Sequence, residues 1–117
     1  MDFDGDGKLD LISGSYDPGE LYLFRGLGNG KFAAREVIRD KSGKPILKVP
    51  NQKDRVESFG SWVTLVDWDG DGVQDLIVGD FSGLFRFFRN TGTNQKPRYA
   101  NAVNLQAGGV DARVPIY

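Results

Sequence analysis

The chain repeats itself at an interval of 65 residues, and that interval limits the architectures open to it. Asp2 to Asp10 reads Asp-Phe-Asp-Gly-Asp-Gly-Lys-Leu-Asp, and Asp67 to Asp75 reads Asp-Trp-Asp-Gly-Asp-Gly-Val-Gln-Asp. The same offset aligns Gly14 with Gly79, Lys48 with Arg113 and Val49-Pro50 with Val114-Pro115. Phe24-Arg25 meets Phe88-Arg89 after a one-residue slip. A unit of this length cannot cover its own apolar faces, so such units stack on neighbours. The 117 residues hold nearly two of them, 1–52 and 53–117.

Each unit reads as a set of short strands. Trp62 to Val66 is apolar and β-branched and runs into the second Asp-rich segment; Leu11-Ile12 and Leu76-Ile77-Val78 follow the two segments, each closed by a glycine. Turns follow at Tyr16-Asp17-Pro18-Gly19 and Phe81-Ser82-Gly83, then strands at 20–25 and 84–89. Period-two alternation there places Leu21 and Leu23, and Phe85 and Phe87, on the apolar faces. The turns 26–30 and 90–94 lead to last strands near 32–38 and 99–105, and the polar stretch 39–58 reads as a connection with a small hairpin. No stretch carries a helical period. The expected fold is all-β: β-propeller blades, each a four-stranded antiparallel meander, about two in number and completed by further blades or by other chains. The first unit lacks a counterpart of the Trp62 to Val66 strand, which leaves a blade edge to be filled.

The Asp-rich segments carry the chemistry. Four carboxylates within nine residues repel one another in a compact turn, and a hard cation with many oxygen ligands relieves that repulsion. In the pattern D-x-D-x-D-G-x-x-D, side chains one, three and five face one side of a tightly curved backbone. The glycine at six permits the turn, the carbonyl of residue seven points inward and the last aspartate closes the cage. The expected ligands are Asp2, Asp4, Asp6, the Lys8 carbonyl and Asp10, and in the second copy Asp67, Asp69, Asp71, the Val73 carbonyl and Asp75. All-oxygen donors favour calcium over zinc or copper, and the flexible multi-carboxylate loop suits calcium better than octahedral magnesium. An EF-hand would need a glutamate at position twelve, where Ser13 and Val78 stand. Asp-Gly turns that merely cap hairpins would explain one such segment, but give no reason to crowd four like charges twice.

These residues support a family resemblance. Phe59-Gly60, the run Val66-Asp67-Trp68-Asp69-Gly70-Asp71-Gly72 and Asp75-Leu76-Ile77-Val78-Gly79 resemble the FG-GAP and VCBS repeats of integrin-α-like β-propellers. The resemblance implies two calcium ions on a propeller of an extracellular or cell-surface protein, usually of seven blades. The Gly-Ala-Pro element of such repeats is replaced by Gly79-Asp80-Phe81 and Gly14-Ser15-Tyr16, which favours a VCBS-type bacterial protein over an integrin-like ligand-binding role.

Composition narrows the function. Cysteine and histidine are absent, which excludes disulfides, thiolate zinc sites and histidine bases within this chain. No apolar run has membrane-spanning length, and Met1 leads into Asp2 without a signal-peptide pattern. Two divalent cations would move the formal charge from -1 to +3, too mild a balance for a nucleic-acid partner, and the basic residues look scattered. The expected function is a calcium-binding extracellular scaffold or interaction module, not an enzyme, in which the ions rigidify the hairpin loops. A protein or glycan ligand and a homo-oligomer or filament through unpaired blade edges are the expected partners. Tyr16, Phe81 and Tyr99 are the candidate exposed aromatics, although aromatics beside strands more often pack in cores. The alternatives are an accessory propeller of a secreted polysaccharide-active enzyme and a self-assembling structural protein. Glu20, Glu36, Glu57, Asp17, Asp40, Asp54 and Asp80 lie outside the cages, but none forms a catalytic pair by spacing.

Overall fold

The computed structural model describes residues 1–16, 19–46, 62–80 and 82–114. The turn at Asp17-Pro18, Phe81, Glu57, Asp54, the Phe59-Gly60 element, the Val49-Pro50 pair, Pro115 of the second Val-Pro pair and most of the 39–58 connection lie outside them. Eleven strands are present among the described residues and no helix. In the first unit they are β1 (Leu11–Gly14), β2 (Leu21–Phe24), β3 (Gly26–Gly28), β4 (Lys31–Phe32) and β5 (Glu36–Val37). The second unit has β6 (Trp62–Val66), β7 (Asp75–Gly79), β8 (Phe85–Phe88), β9 (Val103–Asn104), β10 (Gln106–Ala107) and β11 (Val110–Asp111).

β6-β7-β8-β9 forms a four-stranded sheet, every pair antiparallel, which is the meander expected of a propeller blade. β1-β2-β5 forms its three-stranded counterpart. Two small hairpins, β3-β4 and β10-β11, decorate them. The first is the 26–30 turn, drawn into a ladder with a bulge between Gly26 and Gly28. The second turns through Gly108-Gly109, beyond the last strand expected from the sequence. The last strands are shorter than expected, two residues each at β5 and β9.

The core unites both units. Phe3, Leu21, Leu23, Ile38 and Ile46 of the first pack with Leu76, Val78, Phe88 and Tyr99 of the second, with Ile12, Val63 and Leu65 around them. Register shows which face each sheet buries. Ile12 pairs with Leu23 and Gly14 with Leu21, whereas Leu76 pairs with Phe88 and Val78 with Arg86. By the internal repeat Leu23 corresponds to Phe87, not Phe88, so the two sheets bury opposite faces against each other. Phe85 and Phe87 share a face, as the alternation predicts, but it is the outer one: both stay half-buried there, and the Trp68 ring lies 5.7 Å from that of Phe87. A blade packed on both sides is apolar on both sides, and composition alone cannot choose the face.

Of the candidate exposed aromatics, Tyr99 is fully buried, as aromatics beside strands more often are, while Tyr16 is exposed. Burial, and after it the nearby charge of Asp75, raise the Tyr99 hydroxyl above its ordinary pKa. That hydroxyl donates to the Gln74 carbonyl at 3.3 Å.

Candidate metal centres

Both Asp-rich segments form the same tight loop. Gly5 and Gly7 take φ of 78° and 85°, and Gly70 and Gly72 take 76° and 86°, conformations that only glycine adopts without strain. The chain thereby folds its amides back onto its own carboxylates. Asp2 accepts from the Gly5 and Gly7 amides at 2.8 and 2.9 Å; Asp67 accepts from Asp71 and Gly72 at 3.0 and 2.8 Å. The Lys8 amide donates to Asp6 and the Val73 amide to Asp71, each at 2.8 Å. The Lys8 side chain is exposed and pairs with Asp6 at 3.6 Å.

Ligand atoms of Asp2, Asp4 and Asp10 lie within 4.8 Å of one another in the first loop, and those of Asp67, Asp69 and Asp71 do so in the second. Three carboxylates brought this close, in each loop, could hold a metal ion. The loops differ in which acid completes the group: Asp10 in the first, Asp71 in the second. Asp6 and Asp75 stand outside those trios.

The last aspartate of each loop has a second task. Asp10 is buried and accepts from the Phe3 amide at 2.7 Å and the Gly26 amide at 2.6 Å. Asp75 is likewise buried and accepts from Trp68 at 3.1 Å and Asn90 at 2.8 Å. Each carboxylate thus ties its loop to the chain leaving the following hairpin, satisfying buried backbone donors. Gly26 approaches so closely that a Cβ there would run into the Leu9 carbonyl.

One element of the site escaped the sequence reading. Arg25 Nη1 lies 2.6 Å from Asp4 Oδ2, and Arg89 Nη2 lies 2.7 Å from Asp69 Oδ2. The second carboxylate of each loop is therefore held by an arginine at the end of the hairpin's second strand. The signal was present in the repeat, which aligns Phe24-Arg25 with Phe88-Arg89, but the partners lie about twenty residues apart and no local spacing rule joins them. Arg25 also bonds Glu36 at 2.9 Å and the Gln95 carbonyl at 3.4 Å. Burial works against its charge, but the hydrogen bonds of Glu36 and Asp4 outweigh burial and raise its pKa. Gln95, from the second unit, donates in turn to the Asp4 carbonyl. The first loop is thus clamped from both units.

A family model described as the FG-GAP-like repeat matches residues 2–49. The chain carries an FG-GAP-like repeat. No curated protein and no solved structure matches it. The matched span holds the first Asp loop, the three-stranded sheet and Arg25, so the loop-and-arginine arrangement lies within the FG-GAP-like repeat itself. The second copy is related to it through the chain's own repetition.

Acids outside the loops are engaged with neighbours. Glu20 accepts from the Tyr22 hydroxyl at 2.9 Å, and that bond raises the Tyr22 pKa; Glu36 holds Arg25. Asp40 caps a turn through Ser42 and Lys44, bonds that lower its pKa. Asp80 is buried, bonded to Ser82 and to Arg86 at 3.2 Å. No described helix is long and apolar enough to cross a membrane.

Proposed function

We propose that the chain is a calcium-binding β-propeller repeat module of an extracellular or cell-surface protein. It acts as a structural and interaction scaffold rather than as an enzyme. The observation that carries the reading is the convergence of three carboxylates in each Asp loop. Calcium there would be held by Asp2, Asp4 and Asp10, with Asp6 and the Lys8 carbonyl adjoining, and by Asp67, Asp69 and Asp71, with the Val73 carbonyl and Asp75 adjoining. The ion relieves the mutual repulsion of the acids, so its binding free energy becomes stability of the hairpin between the first two strands of a blade. Millimolar calcium outside cells fills sites of about 10⁻⁴ M affinity, the range of extracellular modules.

Calorimetric titration of metal-stripped protein with calcium tests this, with thermal melts on the same samples. Two sites per chain and a higher melting temperature are expected, each site adding about 2.7 kcal/mol at a hundredfold excess over its Kd. No heat and no shift at millimolar calcium would sink the reading.

A second observation bears on assembly. The outer sheet faces keep Leu11, Trp62 and Val103 exposed at 52%, 59% and 61%. By the repeat, the outer face of the first sheet corresponds to the buried face of the second, and the reverse also holds. The faces therefore suit stacking of further repeats, in this protein or between copies.

A further inference from the structure

We propose that the cleft between the two units binds an extended acidic peptide. The cleft has a volume of about 550 Å³ and is lined by Arg25, Arg35, Arg39, Lys96 and Arg98 against a single carboxylate, Glu36. These residues look scattered along the chain, but the fold brings five of its fifteen basic side chains to one opening. Glu36 is already taken by Arg25. The other four cations have no carboxylate partner among the described residues: Arg35 lies over the Tyr22 ring at 4.9 Å, and Arg39 and Arg98 donate to the Gly43 and Pro97 carbonyls. Like charges gathered without a counter-ion raise the local potential and draw an anion.

The walls specify the shape of that anion. One wall is β5 and the residues after it, Glu36 to Arg39; the other is Gln95 to Arg98. β5 is the outer strand of its sheet, so its far edge offers backbone donors and acceptors. The walls meet at one end, where Asp40 and Tyr99 form a parallel bridge and the Lys41 amide donates to the Tyr99 carbonyl at 2.7 Å. Beyond that bridge they diverge, leaving a gap in which an extended chain can continue the pairing begun at Asp40. Strand addition supplies main-chain hydrogen bonds, and guanidinium forks on carboxylates supply selectivity for acidic side chains. Among the described residues no aromatic ring lines the cleft as a platform for a sugar or a base.

The test uses the full chain with a chelator present, so that metal in the Asp loops does not enter the result. A fluorescent eight-residue peptide rich in Glu and Asp is titrated at low and at physiological salt. Saturable binding that weakens with salt is expected. Arg35→Gln combined with Arg98→Gln, both exposed positions outside the loops, should weaken it about tenfold or more. Methylating alternate peptide nitrogens should weaken it comparably. Absence of binding at low salt overturns the proposal, as does an affinity unchanged in the double variant. Insensitivity to N-methylation, or tighter binding of a sulfated oligosaccharide or single-stranded DNA of equal charge, overturns the peptide assignment.

Discussion

At the scale of single residues, the acids of the second loop divide into two jobs that substitution separates, whereas Asp10 of the first does both. Asp75 is buried with both oxygens taken by backbone amides, whereas Asp71 is exposed and stands with Asp67 and Asp69. In metal-free protein, Asp75→Asn turns one acceptor into a donor facing a buried N–H, and should lower stability by about 2 kcal/mol in urea denaturation. Asp71→Asn keeps an oxygen for the Val73 amide, so it should leave metal-free stability nearly unchanged and weaken calcium binding at the second site in calorimetry. Equal destabilisation by both would contradict the division. Tyr99 gives a pH signature. Its pKa is raised by burial and then by Asp75, above the unfolded value of about 10, so its contribution is complete below that pH and is lost as pH rises toward the folded value. Wild-type stability should fall by up to about 1.4 kcal/mol per pH unit above pH 10 relative to Tyr99→Phe, measured by denaturation at matched pH. The aspartates were legible in the sequence because their chemistry is written in local spacing. Arg25 and Arg89 were not, because their contact with Asp4 and Asp69 exists only once two strands pair.

At the scale of elements, the strands follow from period-two patterning and glycine-marked turns, and the four-stranded sheet came out as the sequence implied. The choice of face did not. Leu84-Phe85-Arg86-Phe87-Phe88 is apolar on both sides, and only the neighbouring sheet decides that Phe88 goes inward. The joint between the Asp loop and the β3-β4 hairpin is a matter of backbone clearance that no propensity reveals. Gly26 bonds Asp10 through its amide and has no room for a Cβ beside the Leu9 carbonyl. Gly26→Ala should therefore cost about 2 kcal/mol or more in a urea midpoint, by forcing the loop away from the hairpin. Gly28, at φ of 86° with open space around its Cβ position, provides the comparison. Gly28→Ala should cost about 1 kcal/mol, from backbone strain alone. A Gly26→Ala effect no larger than that would show that the joint yields easily.

At the scale of the whole molecule, the two sheets are held face to face by one apolar core, and the face that each leaves outside is the repeat equivalent of the face its neighbour buries. A contact of this kind is heterologous, so the same packing rule can be applied again at either end. Outer-face positions such as Leu11, whose counterpart Leu76 is fully buried in the core, show the difference that one more neighbour makes. The stacking that this geometry permits predicts mass above the 12.9 kDa of a single chain in light scattering as concentration rises. Leu11→Glu and Val103→Glu each place a charge on one outer face, at sites already exposed, so they should abolish the growth without changing the urea midpoint of the isolated chain. A single-chain mass at every concentration, with and without calcium, would mean that copies of this chain do not cover these faces. Growth that persists in both variants would place the contact elsewhere, and a mass that rises only with calcium would tie assembly to the ordering of the Asp loops.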